Sequence, residues 1–147
     1  MYFFATVLPV GDLYVEKVLL FTHGEEALFI LQGEEGQRYL CSKTSELTDV
    51  GIVSWVFVPI GKYDLISVVD GADYRNFFEK TSGYQVSYSE EMGLYVKEFP
   101  AEKIYAGMLP AYQVDISQIE HDESYMMGLK KEEKQQFHIT EFYHASA

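Results

Sequence analysis

The run Glu26-Ala-Leu-Phe-Ile-Leu-Gln32 constrains this chain more than any other stretch. Its centre, Ala27 to Leu31, is apolar without alternation, so a strand built from it has to be covered on both faces. Gly33-Glu34-Glu35-Gly36 closes the run, and a short loop with two glycines suits an antiparallel hairpin. Beyond that turn, Gln37-Arg-Tyr-Leu-Cys-Ser42 places Tyr39 and Cys41 on one face and Arg38, Leu40 and Ser42 on the other. A polar loop over residues 43–51 follows. Ile52-Val-Ser-Trp-Val-Phe-Val58 is then nearly continuous apolar, and Pro59, which has no amide for a ladder, ends it. Connections this short exclude a parallel sheet, whose crossovers need about a dozen residues or more.

The flanking segments extend the same pattern. Residues 2–8 read as an edge strand ending at Pro9, Gly11-Asp12 as a turn, and Lys17–Phe21 as a strand within the apolar stretch from Leu13 to Thr22. After Pro59 the period changes. Leu65, Ile66, Val68 and Val69 fit a short helix over residues 62–70, with Gly71 as its stop. Asp73 suits the cap of a second short helix, in which Tyr74, Phe77 and Phe78 fall at i, i+3 and i+4. Strand character returns at Tyr84-Gln-Val-Ser-Tyr-Ser89, where Tyr84, Val86 and Tyr88 share a face. Glu90-Glu91-Met92-Gly93 turns into a last strand, Leu94–Phe99, before Pro100. The expected architecture is α+β, an antiparallel meander with two short helices packed on one side. At 147 residues the chain has single-domain length. The domain is expected over residues 1–128, followed by a charged helix or tail over 129–147 in which Leu129–His138 is the helical segment.

Charge bounds the partners. Asp and Glu number 23 against 11 Lys and Arg, a formal net charge of −12, and the basic residues are scattered. Such a chain repels nucleic acid and anionic membranes and complements a basic protein surface. Cys41 is the single cysteine, which excludes an intrachain disulfide and a cysteine-based zinc site and fits a reducing compartment. The opening Met1–Pro9 is apolar but has no basic flank and is too short for a secretory signal or a membrane span. The expected location is therefore cytoplasmic.

The residues that carry chemistry do not assemble into a motif. His23, His121, His138 and His144 lack the i, i+4 spacing of a helical metal site, so no metal and no cofactor are expected. No Gly-x-Ser-x-Gly is present, and Cys41 inside a strand reads as an inert thiol. Two carboxylates in the Gly33–Gly36 turn would repel phosphate. Adjacent carboxylates in turns point apart and stay ionised, unlike the paired acids of a hydrolase. The chain is thus expected not to be an enzyme and to have no catalytic residues. The expected binding residues are Glu34, Glu35, Asp49, Glu90, Glu91, Asp115, Glu120, Asp122 and Glu123, with Tyr112 and Tyr125 as aromatic anchors. Turns at one end of a meander lie side by side, so these residues would form an acidic face for a protein partner with a Lys/Arg-lined groove. The alternatives are an immunity or antitoxin role against a basic toxin, and a small-molecule sensor or unrecognised enzyme. The edge strand over residues 2–8 also offers pairing across a homodimer.

Gly11-Asp12-Leu13, the Gly24 turn before Ala27-Leu28-Phe29, Gly36-x-x-Tyr39-Leu40, Trp55-Val56-Phe57-Val58-Pro59 and Leu109-Pro110 occur in an order that resembles an uncharacterised family of small bacterial and phage domains. Gly71-Ala-Asp-Tyr-Arg75-Asn-Phe77 adds to the likeness, which spans about residues 11–110. The resemblance implies a bacterial or phage setting, with the host bacterial cytoplasm as the location for a phage-encoded protein. It carries no catalytic residues. In that setting the acidic face suits an anti-defence inhibitor that occupies the nucleic-acid groove of its target.

Overall fold

A computed structural model of the chain describes residues 1–22, 24–44, 52–72, 74–99 and 122–132. Seven strands form one antiparallel sheet in chain order: β1 (Tyr2–Val7), β2 (Gly11–Thr22), β3 (Glu25–Gly33), β4 (Arg38–Lys43), β5 (Val53–Pro59), β6 (Gly83–Ser89) and β7 (Gly93–Phe99). Helices α1 (Lys62–Val69) and α2 (Arg75–Lys80) connect β5 to β6. A third helix, α3, covers residues 123–132. The antiparallel meander read from the turn chemistry is the observed order, and the fold is broadly α+β.

β3 shows why the sequence folds this way. Leu28 and Ile30 enter one apolar cluster while Phe29 and Leu31 enter another, and all four are at most 1% exposed. The first cluster joins these two with Leu40, Val56 and Val58 of the sheet, Leu65, Val68 and Val69 of α1, Phe78 of α2, and Met126 and Leu129 of α3. The second gathers Ala5, Val7, Leu13, Val15, Tyr39, Cys41, Phe57 and Val86 from the strands themselves.

That second cluster is possible because the sheet coils into a nearly closed barrel. Phe4 of β1 meets Trp55 of β5 edge-on, with ring centres 5.7 Å apart and planes at 89°. Twist accumulates across each strand pair. Register breaks between Phe3 and Ala5, Val15 and Lys17, and Val18 and Leu20 bend the first three strands further. The two breaks within β2, at Val15/Lys17 and Val18/Leu20, explain why it runs 12 residues where the apolar stretch suggests only Lys17–Phe21: each interrupts the period of two.

Two glycines are required by geometry. Gly71 has φ +106° just after α1, where the amides of Asp70 and Gly71 bond to the carbonyls of Ile66 (3.0 Å) and Val68 (3.1 Å). At Gly83, a Cβ would overlap the Phe57 carbonyl oxygen and lie 2.7 Å from Val58 Cγ1, so β6 can lie on β5 only with glycine there.

Three further expectations shift. Gly11 and Asp12, expected as a turn, open β2 and pair with Val7 and Thr6, and the turn lies over residues 8–10. α2 has Tyr74 at its N-cap without a side-chain cap, and Asp73 lies outside the described residues. The helical segment expected over Leu129–His138 begins earlier, at residue 123, and residues 133–138 lie outside the described residues. The reason is apolar spacing: Tyr125, Met126 and Leu129 lie on one stripe, and Leu129 is only 2% exposed. Asp122 starts the helix by accepting the Tyr125 amide at its Oδ1, 2.9 Å away.

Candidate functional site

The meander leaves β1 and β7 as the sheet's two edges, and among the described residues no strand pairs with the outer side of either. Coiling brings β1 opposite β6 and β7 across an apolar cleft of about 280 Å³, lined by Phe3, Phe4, Ala5, Trp55, Val86, Tyr88 and Leu94. Register places the lining. Val86 pairs with Trp55, and Tyr88 with Leu94, so these side chains share the concave face. The floor is buried, with Val86 at 0% and Ala5 at 5% exposure, while the rim is open, with Phe3 at 54% and Tyr88 and Leu94 at 46%. Phe3 is steadied by an edge-on contact with Tyr14, ring centres 5.7 Å apart.

Strand direction divides the acidic turns. In an antiparallel meander the connections after β1, β3 and β5 lie at one end and those after β2, β4 and β6 at the other. Glu34 and Glu35, exposed in the β3–β4 turn, therefore sit at the opposite end from Glu90 and Glu91, exposed in the β6–β7 turn. The carboxylate pairs do not gather on one face. Glu90 and Glu91 share their end with Glu25 and Glu26 at the start of β3. There Lys43 pairs with Glu25, and the Tyr2 hydroxyl donates to Glu26. Burial, and then the Glu26 carboxylate, push the Tyr2 phenol up to about 12. Glu90, Glu91 and the exposed Met92 follow Tyr88 closely and precede Leu94, so this acidic tip borders the cleft rim. Asp49, Tyr112, Asp115 and Glu120 lie outside the described residues.

A second, polar cleft of about 550 Å³ lies where β2, β4 and α3 meet. Arg38 Nε donates to Glu16 Oε1 (2.9 Å) and Oε2 (3.1 Å), and its Nη2 donates to Glu132 (2.8 Å). Lys17 Nζ bonds Asp122 at 2.7 Å, and the Tyr125 hydroxyl donates to Glu16. The Arg38 and Glu16 side chains are 8% and 12% exposed.

These contacts set the protonation states. Burial pulls the Arg38 guanidinium down, but the Glu132 and Glu16 carboxylates outweigh it and hold its pKa above the ordinary value. Burial first, and then Glu16, push the Tyr125 phenol upward. Lys17, and then the Tyr125 amide, hold the Asp122 carboxyl below its ordinary range. Asp122 and Tyr125, expected to face a partner, are thus engaged within the chain, whereas Glu123 is exposed in the first turn of α3. Burial pushes the Cys41 thiol well up, which leaves it a poor nucleophile.

Sequence reasoning missed the cleft because it depends on coiling. Only the Tyr84, Val86, Tyr88 alternation marked one of its walls. The Arg38 network was equally hidden, since its partners are 22 and 94 residues away. Chemically, the first cleft offers an apolar lining to an apolar group, and the second is lined by charges that pair with one another. Among the described residues, no group of three His, Cys, Asp or Glu side chains is placed to hold a metal ion, and no helix is long and apolar enough to cross a membrane. The chain matches no family model, no curated protein and no solved structure.

Proposed function

We propose that this chain is a non-catalytic binding domain for a protein with a basic surface, and that it engages that partner at the open seam between β1 and β6–β7. The observation that carries this reading is the apolar cleft with its exposed rim of Phe3, Tyr88 and Leu94, bordered by Glu90 and Glu91. Exposed aromatic side chains over a desolvated floor are the composition of an interface centre, and charge at the rim speeds encounter with a partner of opposite sign. A cleft of about 280 Å³, at the lower end of small-molecule sites, has room for one or two side chains of a partner.

The helices bear on the same reading. Residues of α1, α2 and α3 join the cluster of Leu28, Ile30 and Leu40, and among the described residues no helix residue lines the seam cleft. The partner class that best complements a net charge of −12 is a nucleic-acid-processing enzyme with a basic groove, and the role is that of an inhibitor filling it. An immunity or antitoxin role would use the same seam against a basic toxin.

Affinity capture from bacterial lysate tests the proposal. A basic partner should be retained at low salt, released at high salt, and lost by the Glu90→Gln/Glu91→Gln variant. Retention indifferent to both salt and the variant refutes it.

A further inference from the structure

Resting on the protein-binding reading above, we propose that the partner is taken up as an extended strand added to the outer edge of β1, with an apolar side chain entering the cleft between β1 and β6–β7. The two sheet edges are not alike. β7 carries Lys97 and Glu98, both exposed, and charged side chains are a usual defence of an edge against strand addition. β1, Tyr-Phe-Phe-Ala-Thr-Val, holds no charge and no proline over its six residues. Its register break between Phe3 and Ala5 turns the Phe4 ring against Phe29 and Trp55, so the irregularity builds the cleft wall.

A strand laid on that edge satisfies backbone amides and carbonyls that have no strand partner among the described residues. It also lies along the cleft, where alternate side chains of the incoming segment point to the concave face. At about 3.3 Å per residue, β1 matches a segment of about six residues. Charge selects the occupant. Glu26, Glu90 and Glu91 stand at the end of the sheet where the cleft rim opens, and they favour Lys or Arg on the other face and flanks of the segment. A second copy of this chain would set −12 against −12, so the occupant is a different, basic chain.

The test uses the full chain and a labelled peptide, Lys-Val-Lys-Leu-Lys-Val-Lys, read by fluorescence anisotropy. Two further peptides carry N-methyl groups on alternate amides, one set on the even positions and one on the odd. In an added strand, alternate amides point to the same side, so one set faces β1 and the other faces away. One methylated set should weaken binding at least tenfold while the other stays within about threefold of the parent. Equal effects of both sets overturn strand addition while leaving side-chain recognition of a basic partner in place. No binding of the parent peptide overturns strand addition too, and the lysate capture then decides the protein-binding reading separately. Concentration-dependent dimerisation abolished by Thr6→Lys would make a second copy the occupant and overturn the assignment to a basic chain.

Discussion

Replacing Arg38 by Met tests how α3 is held to the sheet. The side chain is 8% exposed, and its Nε and Nη2 reach Glu16 and Glu132. Glu132 is 48% exposed, so losing that half of the pair costs about 0.5 kcal/mol or less. Losing the Glu16 half costs more. At 12% exposure Glu16 would keep, among the described residues, the Tyr125 hydroxyl alone, and stranding a mostly buried carboxylate costs about 3 kcal/mol. Methionine retains much of the apolar stem, so packing changes little. The expected loss is about 3 kcal/mol, a shift of about 1.5 to 2 M in the urea midpoint for a domain of this size. Trp55, the only tryptophan, sits in the apolar cluster remote from the network and reports global unfolding. Adding Glu16→Gln to Arg38→Met should recover about 2 kcal/mol, because the stranded charge is removed. A loss under about 0.5 kcal/mol, or strictly additive single effects, would refute the coupling of β2, β4 and α3 through this network.

Three further outcomes follow from the geometry. Gly83→Ala should destabilise the fold by about 3 kcal/mol or prevent folding, measured by urea unfolding, because its Cβ meets the β5 backbone at Phe57. Leu129→Ala should cost about 2 to 4 kcal/mol in the same assay despite lying in a charged helix, since Leu129 is 2% exposed. The melting temperature should fall at both pH extremes. Asp122 has a folded pKa below 3.8, so its stabilising contribution is full above the unfolded value and fades as pH drops below about 4. Tyr125 has a folded pKa above 10.0, so its contribution is full below about pH 10 and fades above it, as the unfolded phenol ionises first. Asp122→Asn and Tyr125→Phe should each flatten their own limb in a melting series from pH 3 to pH 11.

Local rules recovered the strands whose chemistry is local. The unbroken apolar run at Ala27–Leu31 demanded cover on both faces, and Leu28 and Phe29 do enter opposite clusters. Gly71 ends α1 where its position suggested. The rest depended on three-dimensional closure. The register breaks in β2 erased the alternation that would have shown its length, and together with the break in β1 they add to the curl that forms the cleft. The acidic pairs looked alike as a string of turns, yet strand direction sends Glu34-Glu35 and Glu90-Glu91 to opposite ends. Glu132 appeared to belong to a solvated charged run. Its partner Arg38 is 94 residues away, so no spacing rule could join them.

The measurement that bears most directly on the proposed role compares lysate capture by the native chain and by Tyr88→Ser/Leu94→Ser. Both residues are half exposed, so the variant should fold with an unfolding midpoint close to the native one. A basic protein retained by the native chain at about 0.05 M salt should be released at about 0.5 M, where charges are screened beyond a few ångströms. The same protein should be absent from the variant's eluate at either salt. If the variant retains the same protein as well as the native chain does, the seam between β1 and β6–β7 is not the recognition surface.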